Sequence, residues 1–155
     1  MYKLRRGRRL ILTPSVLEVF SAHIQAKGAN EAGGILLGRR LEDGTVLVER
    51  ATTPSPLDDA GPSFFVRSRI AAQAIIDDAW RESDGYVVYL GEWHTHAVAQ
   101  PHPSAQDRKM IASMLNDSKT DTDFVLLVIV GWNELWVGCR AKNWLRRTAP
   151  ITCGG

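Results

Sequence analysis

Two histidines separated by one residue are the strongest chemical feature of this sequence. His94 and His96 come directly after an apolar stretch that predicts a strand. In an extended strand, side chains two residues apart point to the same face, so the two imidazoles lie side by side. Adjacent imidazoles can occupy two corners of the tetrahedron that zinc requires. The pair therefore predicts part of a metal site.

A serine and an aspartate follow the histidines after a segment that two prolines interrupt, Pro101 and Pro103. Ser104 then opens the next predicted helix. Asp107 falls on the first turn of that helix, where its carboxylate can supply a third ligand. Three protein ligands leave a fourth position for water, which is typical of catalytic zinc rather than structural zinc. The segment thus predicts hydrolytic chemistry.

The same serine and aspartate also fit a purely structural role. In an S-x-x-D capping pair, the serine caps the helix and the acid hydrogen-bonds back to it. Ser104 can begin a helix while its hydroxyl faces the site, so its two roles are compatible. Asp107 is expected to take only one of them. The fixed distance to the histidine pair favours metal binding for Asp107.

The spacing H-x-H, seven residues, S, two residues and D resembles the signature of the JAMM metalloproteases, the JAB/MPN domain family. Upstream, Glu31 followed by the apolar segment Gly33–Gly38 resembles the first strand of that family. The resemblance spans about residues 10–140. It departs at Ala97, where family members usually have proline. It implies a single-domain α/β JAB/MPN fold, with a mixed curved β-sheet flanked by helices, similar to that of cytidine deaminases.

The resemblance also implies a role for each matching residue. His94, His96 and Asp107 would be the ligands of one Zn²⁺ per chain. Glu31 would be the general base that takes a proton from the attacking water and passes it to the leaving amine. Ser104 would donate a hydrogen bond to the oxyanion as negative charge develops there.

JAMM peptidases cleave isopeptide or peptide bonds after the C-terminal glycine of ubiquitin or ubiquitin-like proteins. Prokaryotic members of this size include deconjugating peptidases encoded beside bacterial ubiquitin-like conjugation systems, among them those of CBASS anti-phage operons. The implied substrate is a ubiquitin-like protein or a conjugated protein, with activating and conjugating enzymes as further partners. We expect an extended tail to pair with the apolar strand edge near the glycines. The 52–63 loop and the Gln100–Pro103 segment would wall its channel.

Two other classes of function stay open. Catalytically silent MPN-type scaffolds and protein-interaction modules usually lack one or more of the ligands, whereas all of them are present here. Nucleic-acid binding, as in RadC-type relatives, fits the basic chain ends, but the sequence around the histidines differs from theirs. A zinc nucleoside deaminase is disfavoured because no P-C-x-x-C follows the histidines.

The remaining histidines and cysteines receive no catalytic assignment. His102 is expected to be a solvated loop residue, although contact with substrate or metal stays open. His23 is expected to be a structural residue of the first helix. Cys139 is expected to be inert in an apolar strand, and Cys153 lies in the C-terminal tail.

The elements that must position these residues alternate between helices and strands. Helices are predicted from 13–14 to about 27, at 70–81 and at 104–115. Strands are predicted at 8–12, 33–38, 45–51, 64–66, 86–93, 123–130 and 134–139, with a long loop at 52–63. Strands that follow one another directly, and others joined through helices, indicate an α/β sandwich with a mixed sheet.

The 155 residues indicate one domain, and 45% hydrophobic and 23% charged residues are typical of a chain that buries a core. The net charge of +2 hides an uneven distribution. Residues 1–9 hold five basic and no acidic residues, and residues 140–155 hold four and none. The segment between them carries ten basic and seventeen acidic residues. We expect a basic arm at 1–9, the metalloprotease domain at 10–148 and a flexible tail at 149–155.

Location in the cell is predicted from three features of the chain. No apolar run reaches the roughly 18 residues that a membrane helix needs. The N-terminus lacks the apolar core of a signal peptide. The two cysteines form no C-x-x-C motif, and so few thiols favour a reducing compartment. A cytoplasmic protein is therefore expected.

Overall fold

The computed structural model describes residues 1–117, 123–141 and 144–150. Its helices are α1 (Pro14–Ala22), α2 (Arg69–Glu82) and α3 (Ala105–Asp117). Its strands are β1 (Tyr2–Lys3), β2 (Arg9–Leu12), β3 (Gly33–Arg40), β4 (Val46–Ala51), β5 (Asp59–Gly61), β6 (Phe64–Val66), β7 (Val88–Thr95), β8 (Phe124–Val130), β9 (Leu135–Ala141), β10 (Trp144–Arg147) and β11 (Ala149–Pro150).

Nine strands form one mixed sheet in the order β10-β9-β8-β7-β3-β4-β2-β1-β11. The β2–β4 and β7–β8 pairs are parallel, and the other pairs are antiparallel. The two strands at the ends of this order, β10 and β11, are separated in the chain only by Thr148. The sheet therefore curls until its ends are joined by continuous backbone. This mixed, curved sheet with flanking helices confirms the predicted α/β fold class.

Each face of the sheet has its own core, because strand side chains alternate between the two faces. On one face, α1 packs Val16 and Phe20 against residues that include Leu90 and Trp93 of β7. On the other face, α2 and α3 cover a second core that includes Ile111. Strand β8 is buried along its whole length, as its uninterrupted apolar sequence predicts. Neither α2 nor any other helix in the described ranges is long and apolar enough to cross a membrane.

The chain ends contribute to the sheet. In the segment expected to be a basic arm, Tyr2–Lys3 pairs with Arg9–Leu10 on one side and with Ala149–Pro150 on the other. Thr148 is buried, and both its backbone N–H and its hydroxyl donate to the carbonyl of Val137, at 2.7 and 3.0 Å. Residues 151–155 of the expected tail lie outside the described residues.

The first helix is shorter than predicted: it ends at Ala22 rather than near Lys27. Gln25 lies beyond the helix, and its buried side chain donates to the carbonyls of Ala29 and Pro62 at 2.7 and 3.1 Å. These contacts hold the segment after α1 against the turn between β5 and β6. The 52–63 segment also differs from a plain loop, because β5 lies within it and pairs with β6 in a hairpin.

Strand β7 contains an irregularity that sets the direction of its side chains. Its pairing with β3 shifts between the Leu36–Gly91 and Leu37–Tyr89 partners, which leaves Leu90 unmatched. Such an extra residue changes the alternation of faces along a strand. At Gly91 the backbone of β8 comes so close that a Cβ atom would lie 2.1 Å from the carbonyl oxygen of Leu126. Glycine is therefore required at this position.

We expect the Gly91→Ala variant to lower the free energy of unfolding by about 1–3 kcal/mol, because the added methyl group forces β7 and β8 apart. Gly44→Ala is the matched control. Its Cβ would meet only the flexible side chain of Arg8, so the cost is about 1 kcal/mol from its left-handed backbone conformation. Urea unfolding measures both variants. A Gly91→Ala variant as stable as the original chain would contradict this account of the strand contact.

Candidate metal centre and catalytic site

His94 lies in β7 and His96 follows the last residue of that strand, and the two side chains lie together, as the spacing predicts. Their Nε2 atoms lie 3.2 Å apart, and the ring planes are inclined by 50°. His94 is buried with 3% of its surface exposed, whereas His96 is partly exposed. The intervening residue, Thr95, is directed to the opposite face, where its hydroxyl donates to the side chain of Gln25. Solvent is thus excluded from His94 but reaches His96.

Helix α3 brings Asp107 onto the two histidines. Its Oδ1 atom lies 3.2 Å from Nε2 of His94, and its Oδ2 atom lies 3.3 Å from Nε2 of His96. The same carboxylate accepts a hydrogen bond from the backbone N–H of Ser104 at 2.8 Å, and the hydroxyl of Ser104 accepts one from the N–H of Asp107 at 3.1 Å. This is a reciprocal helix cap. The helix cap that was the alternative role for Asp107 is therefore present, and the same carboxylate also faces both imidazoles.

These three side chains fit a zinc ion by geometry and by chemistry. Ligand bonds of 2.0–2.1 Å in a tetrahedron place neighbouring donor atoms roughly 3.3–3.4 Å apart. The measured separations are 3.2 Å between the imidazoles and 3.2 and 3.3 Å from imidazole to carboxylate. Two imidazoles and one carboxylate are also a donor set that catalytic zinc uses.

Glu31 is the second carboxylate at this site and lies further away. Its Oε1 atom is 3.8 Å from Nε2 of His96, and its side chain is buried. Glu31, His94 and His96 offer donor atoms that all lie within 4.8 Å of one another, so this trio is also a possible metal-binding group. Asp107 is thus the carboxylate in closer contact with both imidazoles, and Glu31 lies beside them on the side of His96.

The position of Glu31 is fixed by backbone contacts to two other segments. Its own N–H donates to the carbonyl of Gly61 at 2.8 Å, at the turn of the β5–β6 hairpin. The N–H of the next residue, Ala32, donates to the hydroxyl of Thr95 at 3.0 Å. The N–H of Thr95 donates in turn to the carbonyl of Ala32 at 2.9 Å. The carboxylate is therefore held between the hairpin and the strand that carries the histidines.

Burial and neighbouring charges give the two carboxyl groups opposite properties. Burial raises the pKa of Glu31; His94 and His96 lower it in part, and Asp107 raises it further. Burial also favours the neutral form of Asp107, but hydrogen bonds from His94 and His96, the charge of His94 and the N–H of Ser104 outweigh this and hold its pKa well below the usual range. For His96, burial lowers the pKa, but the contacts with Asp107 and the charge of Glu31 raise it overall. The surroundings thus favour the ionised form of Asp107 and make Glu31 the more basic carboxylate.

The glycines beside which an extended tail is expected to pair lie at the start of β3. Gly33 and Gly34 pair with β7 on one side, whereas the pairing of β3 with β4 begins only at Leu36. Their small size also serves packing: a Cβ atom at Gly33 would lie 2.5 Å from the ring of Phe65, and one at Gly34 would lie 2.4 Å from the carbonyl oxygen of Thr52. The 52–63 segment does reach the site, through Gly61.

The remaining histidines and cysteines lie apart from the donor cluster in the described structure. His23 ends α1, with its Nδ1 atom 2.7 Å from the carbonyl oxygen of Val19. His102 is exposed in the loop before α3. Burial raises the pKa of Cys139 to about 11, which disfavours the reactive thiolate. Cys153 lies outside the described residues.

Two groups of residues near the site were missed by sequence reasoning. One is Gln25 with Thr95, which connects the end of α1 to the histidine strand. The other is Glu92, a buried acid that binds Arg67. Glu92 could have been found, because it is a charged residue two positions before His94 in an apolar strand. Gln25 and Arg67 carry no comparable local signal, since their partners are distant in the sequence.

Comparison with known proteins extends this description. The family model for prokaryotic homologs of the JAB domain matches residues 13–146. A "CD-NTase/cGAS isopeptidase" of Pseudomonas aeruginosa is 38% identical over 129 residues, which cover 83% of this chain and 80% of that protein. A protein of Escherichia coli with the same name is 30% identical over 138 residues, covering 89% of this chain and 85% of that protein. The solution structure of a Desulfitobacterium hafniense protein superposes with a TM-score of 0.64 at 25% identity, covering 89% of this chain and 88% of that one.

If Asp107 is a ligand as well as a cap, Asp107→Asn should separate its two roles. The amide oxygen can still accept from the N–H of Ser104, but the anionic donor is lost. We expect zinc affinity to fall on the order of 100-fold, measured by competition with a chelator, with little change in the stability of the metal-free protein.

Ser104→Ala is the matched control for that substitution. It removes the helix cap at a cost of about 1 kcal/mol and leaves all three donor groups in place, so zinc affinity should stay near that of the original chain. An Asp107→Asn variant that binds zinc as tightly as the unmodified protein would contradict the assignment of Asp107.

Proposed function

Because the chain belongs to the family of prokaryotic homologs of the JAB domain, we propose that it is a zinc-dependent isopeptidase. It would cleave after the C-terminal glycine of a ubiquitin-like modifier, or of a protein conjugated in the same way. The names of its relatives favour a CD-NTase as that conjugated protein. The observation that carries the proposal is the convergence of Asp107, His94 and His96 on one point, with Glu31 beside it.

In this proposal, His94, His96 and Asp107 would hold the ion, and a bound zinc would polarise the scissile carbonyl and make water acidic. Two imidazole ligands, which bind zinc in their neutral form, and one carboxylate would leave a bound zinc ion with a net positive charge. The low pKa of Asp107 supports its role, since the carboxylate stays ionised and does not lose its place to a proton.

Glu31 would be the general base that takes a proton from the attacking water and the general acid that passes it on. Its raised pKa makes it a stronger base than an exposed glutamate, and the backbone contacts of Glu31 and Ala32 limit where its carboxylate can go. The oxygen of water adds to the carbonyl carbon as Glu31 takes one proton. The C–N bond then breaks, and Glu31 passes that proton to the leaving amine. Atoms and charge balance with water as the second reactant.

Ser104 would stabilise the negative charge that develops on the carbonyl oxygen. Its hydroxyl oxygen accepts from the N–H of Asp107, but the hydroxyl hydrogen is still available to donate. The residue is exposed at the start of α3, where a substrate can reach it. A donor in this position is most useful in the transition state, when the oxygen carries its largest charge.

The β5–β6 hairpin is the proposed binding site for the extended substrate tail. Within the described part of the chain these two strands pair only with each other, so each has an edge open to a third strand. The hairpin turn contacts the backbone of Glu31, which places these edges next to the candidate site. Main-chain pairing recognises an extended segment with little dependence on its side chains.

We assign the activity to residues 10–148 and to the cytoplasm, in a bacterial anti-phage or ubiquitin-like conjugation system. The proposed partners are the conjugated protein and the activating and conjugating enzymes that produce it. A catalytically silent scaffold would share the fold and the binding surfaces. The four site residues Glu31, His94, His96 and Asp107 favour the enzyme, because a scaffold needs none of them.

The Glu31→Gln variant tests the mechanism. We expect it to retain one zinc per chain and to lose cleavage of a lysine-linked CD-NTase conjugate by about 10²–10⁴-fold, because proton transfer fails while the ligands remain. Gel analysis of the released protein measures the rate. Glu18→Gln makes the same chemical change at an exposed position on α1 and should cleave normally.

Normal cleavage by the Glu31→Gln variant would contradict the role of Glu31. Failure of the zinc-loaded original chain to cleave any conjugate would favour the scaffold.

A further inference from the structure

A buried ion pair lies beside the candidate metal centre and has no part in the chemistry above. Nε of Arg67 donates to both carboxylate oxygens of Glu92, at 2.7 and 3.0 Å. The hydroxyl of Tyr89 donates to the same carboxylate at 2.6 Å. The Glu92 side chain is 4% exposed and that of Arg67 is 13% exposed. We call these three residues the Arg67 cluster.

The stability of the folded protein does not by itself explain why this ion pair is buried. Removing two charges from water costs so much that a buried ion pair can often be replaced by apolar residues without loss of stability. Tyr89 of this cluster packs among the apolar side chains of the second core, which α2 and α3 cover. The Arg67 cluster is therefore better explained by what it holds in place than by the free energy it adds.

The cluster joins the elements that build the site. Glu92 lies two residues before His94 and on the same face of β7, and the irregularity at Leu90 brings Tyr89 to that face as well. Arg67 follows the last residue of the hairpin. Its Nη2 atom lies 3.2 Å from Sδ of Met114 on α3, the helix that carries Asp107.

The hairpin side of this connection is reinforced by Asp58. Its two carboxylate oxygens accept from the N–H groups of Ser55 and Ser68, at 2.6 and 2.8 Å, so both ends of the segment that contains the hairpin are held together. Arg67 is next to Ser68, the residue that caps α2. A shift of Arg67 would therefore move the hairpin and its contact with Glu31.

We infer that Arg67 is a positioning residue, which uses Glu92 to hold the β5–β6 hairpin and α3 in register with the histidine strand. It touches neither the substrate nor the reacting atoms. The inference rests on the proposed function only for its kinetic consequence: a misplaced hairpin binds the substrate tail poorly. Its structural consequence, a looser hairpin on an unchanged β7, can be measured without any substrate.

The test replaces the whole cluster with apolar residues, because a single substitution would leave a buried charge unpaired and unfold the chain. The triple variant Arg67→Met, Glu92→Met and Tyr89→Phe keeps similar volumes and leaves no buried polar partner. Arg81→Met is the matched control, since Arg81 pairs with Asp78 at an exposed position on α2. Melting temperature, zinc stoichiometry, amide exchange, kcat and KM are measured for each protein.

We expect the triple variant to melt near the original temperature and to bind one zinc. Its amides at 59–66 should exchange at least about tenfold faster, while those of β7 and β8 stay protected. Cleavage of the conjugate should show a kcat/KM reduced about 10–100-fold, with most of the change in KM. Arg67→Lys with Glu92 and Tyr89 unchanged should recover part of this loss, because one ammonium group can contact one carboxylate oxygen.

Unchanged KM and unchanged exchange at 59–66 would overturn the inference. So would exchange that rises equally throughout the sheet with a lower melting temperature, since that result describes a merely structural residue. If the original chain cleaves no conjugate, the proposed function fails, and the exchange of the hairpin amides still decides the role of Arg67.

Discussion

The pairing of β7 on both sides is the constraint on which the site depends. Strand β7 is paired with β3 on one side and with β8 on the other, with His94 opposite both Gly33 and Ile129. His96 follows directly, and its N–H donates to the carbonyl of Val130. This pairing fixes the register of the strand and therefore the faces to which its side chains point. His94 and His96 face the helices α2 and α3, while Trp93 and Thr95 face α1. The other groups of the site are brought to this rigid strand by separate elements.

The two carboxylates reach the histidines by different routes, and this difference separates their chemistry. Asp107 comes from a helix whose first turn it also caps, so the position of its oxygens is set by the helix itself. Glu31 comes from the segment before β3 and is held by the turn of the hairpin. One carboxylate receives hydrogen bonds and stays ionised. The other is buried without hydrogen bonds from the histidines and becomes more basic.

Local sequence rules were sufficient to predict how residues close together in the chain are arranged. The spacing of His94 and His96 gives their common face, and the proline-rich segment followed by Ser104 gives the start of α3. Glu31 is 63 residues from His94, and only its resemblance to a family pattern connected the two. The mixed α/β class and the strand at 123–130 followed from hydrophobic runs and their connections.

The features that sequence reasoning missed all depend on distant contacts. Helix α1 ends before Gln25, whose side chain binds residues as far away as Pro62 and Thr95. The order of the curled sheet depends on the first and last described strands pairing with each other, and hydrophobic periodicity does not predict such pairing. The contact of Arg67 Nε with both carboxylate oxygens of Glu92 joins residues 25 positions apart. Hydrophobic patterns describe how each segment is buried, but not which polar group it meets there.

The most direct measurement is anomalous diffraction at the zinc edge from crystals of the protein grown with zinc. The account predicts one ion per chain, bound by Nε2 of His94, Nε2 of His96 and the carboxylate of Asp107, with the carboxylate of Glu31 close by but unbound. An ion bound by Glu31 in place of Asp107 would contradict the division of roles between the two acids. The absence of an ordered ion between the histidines would contradict the metal centre itself.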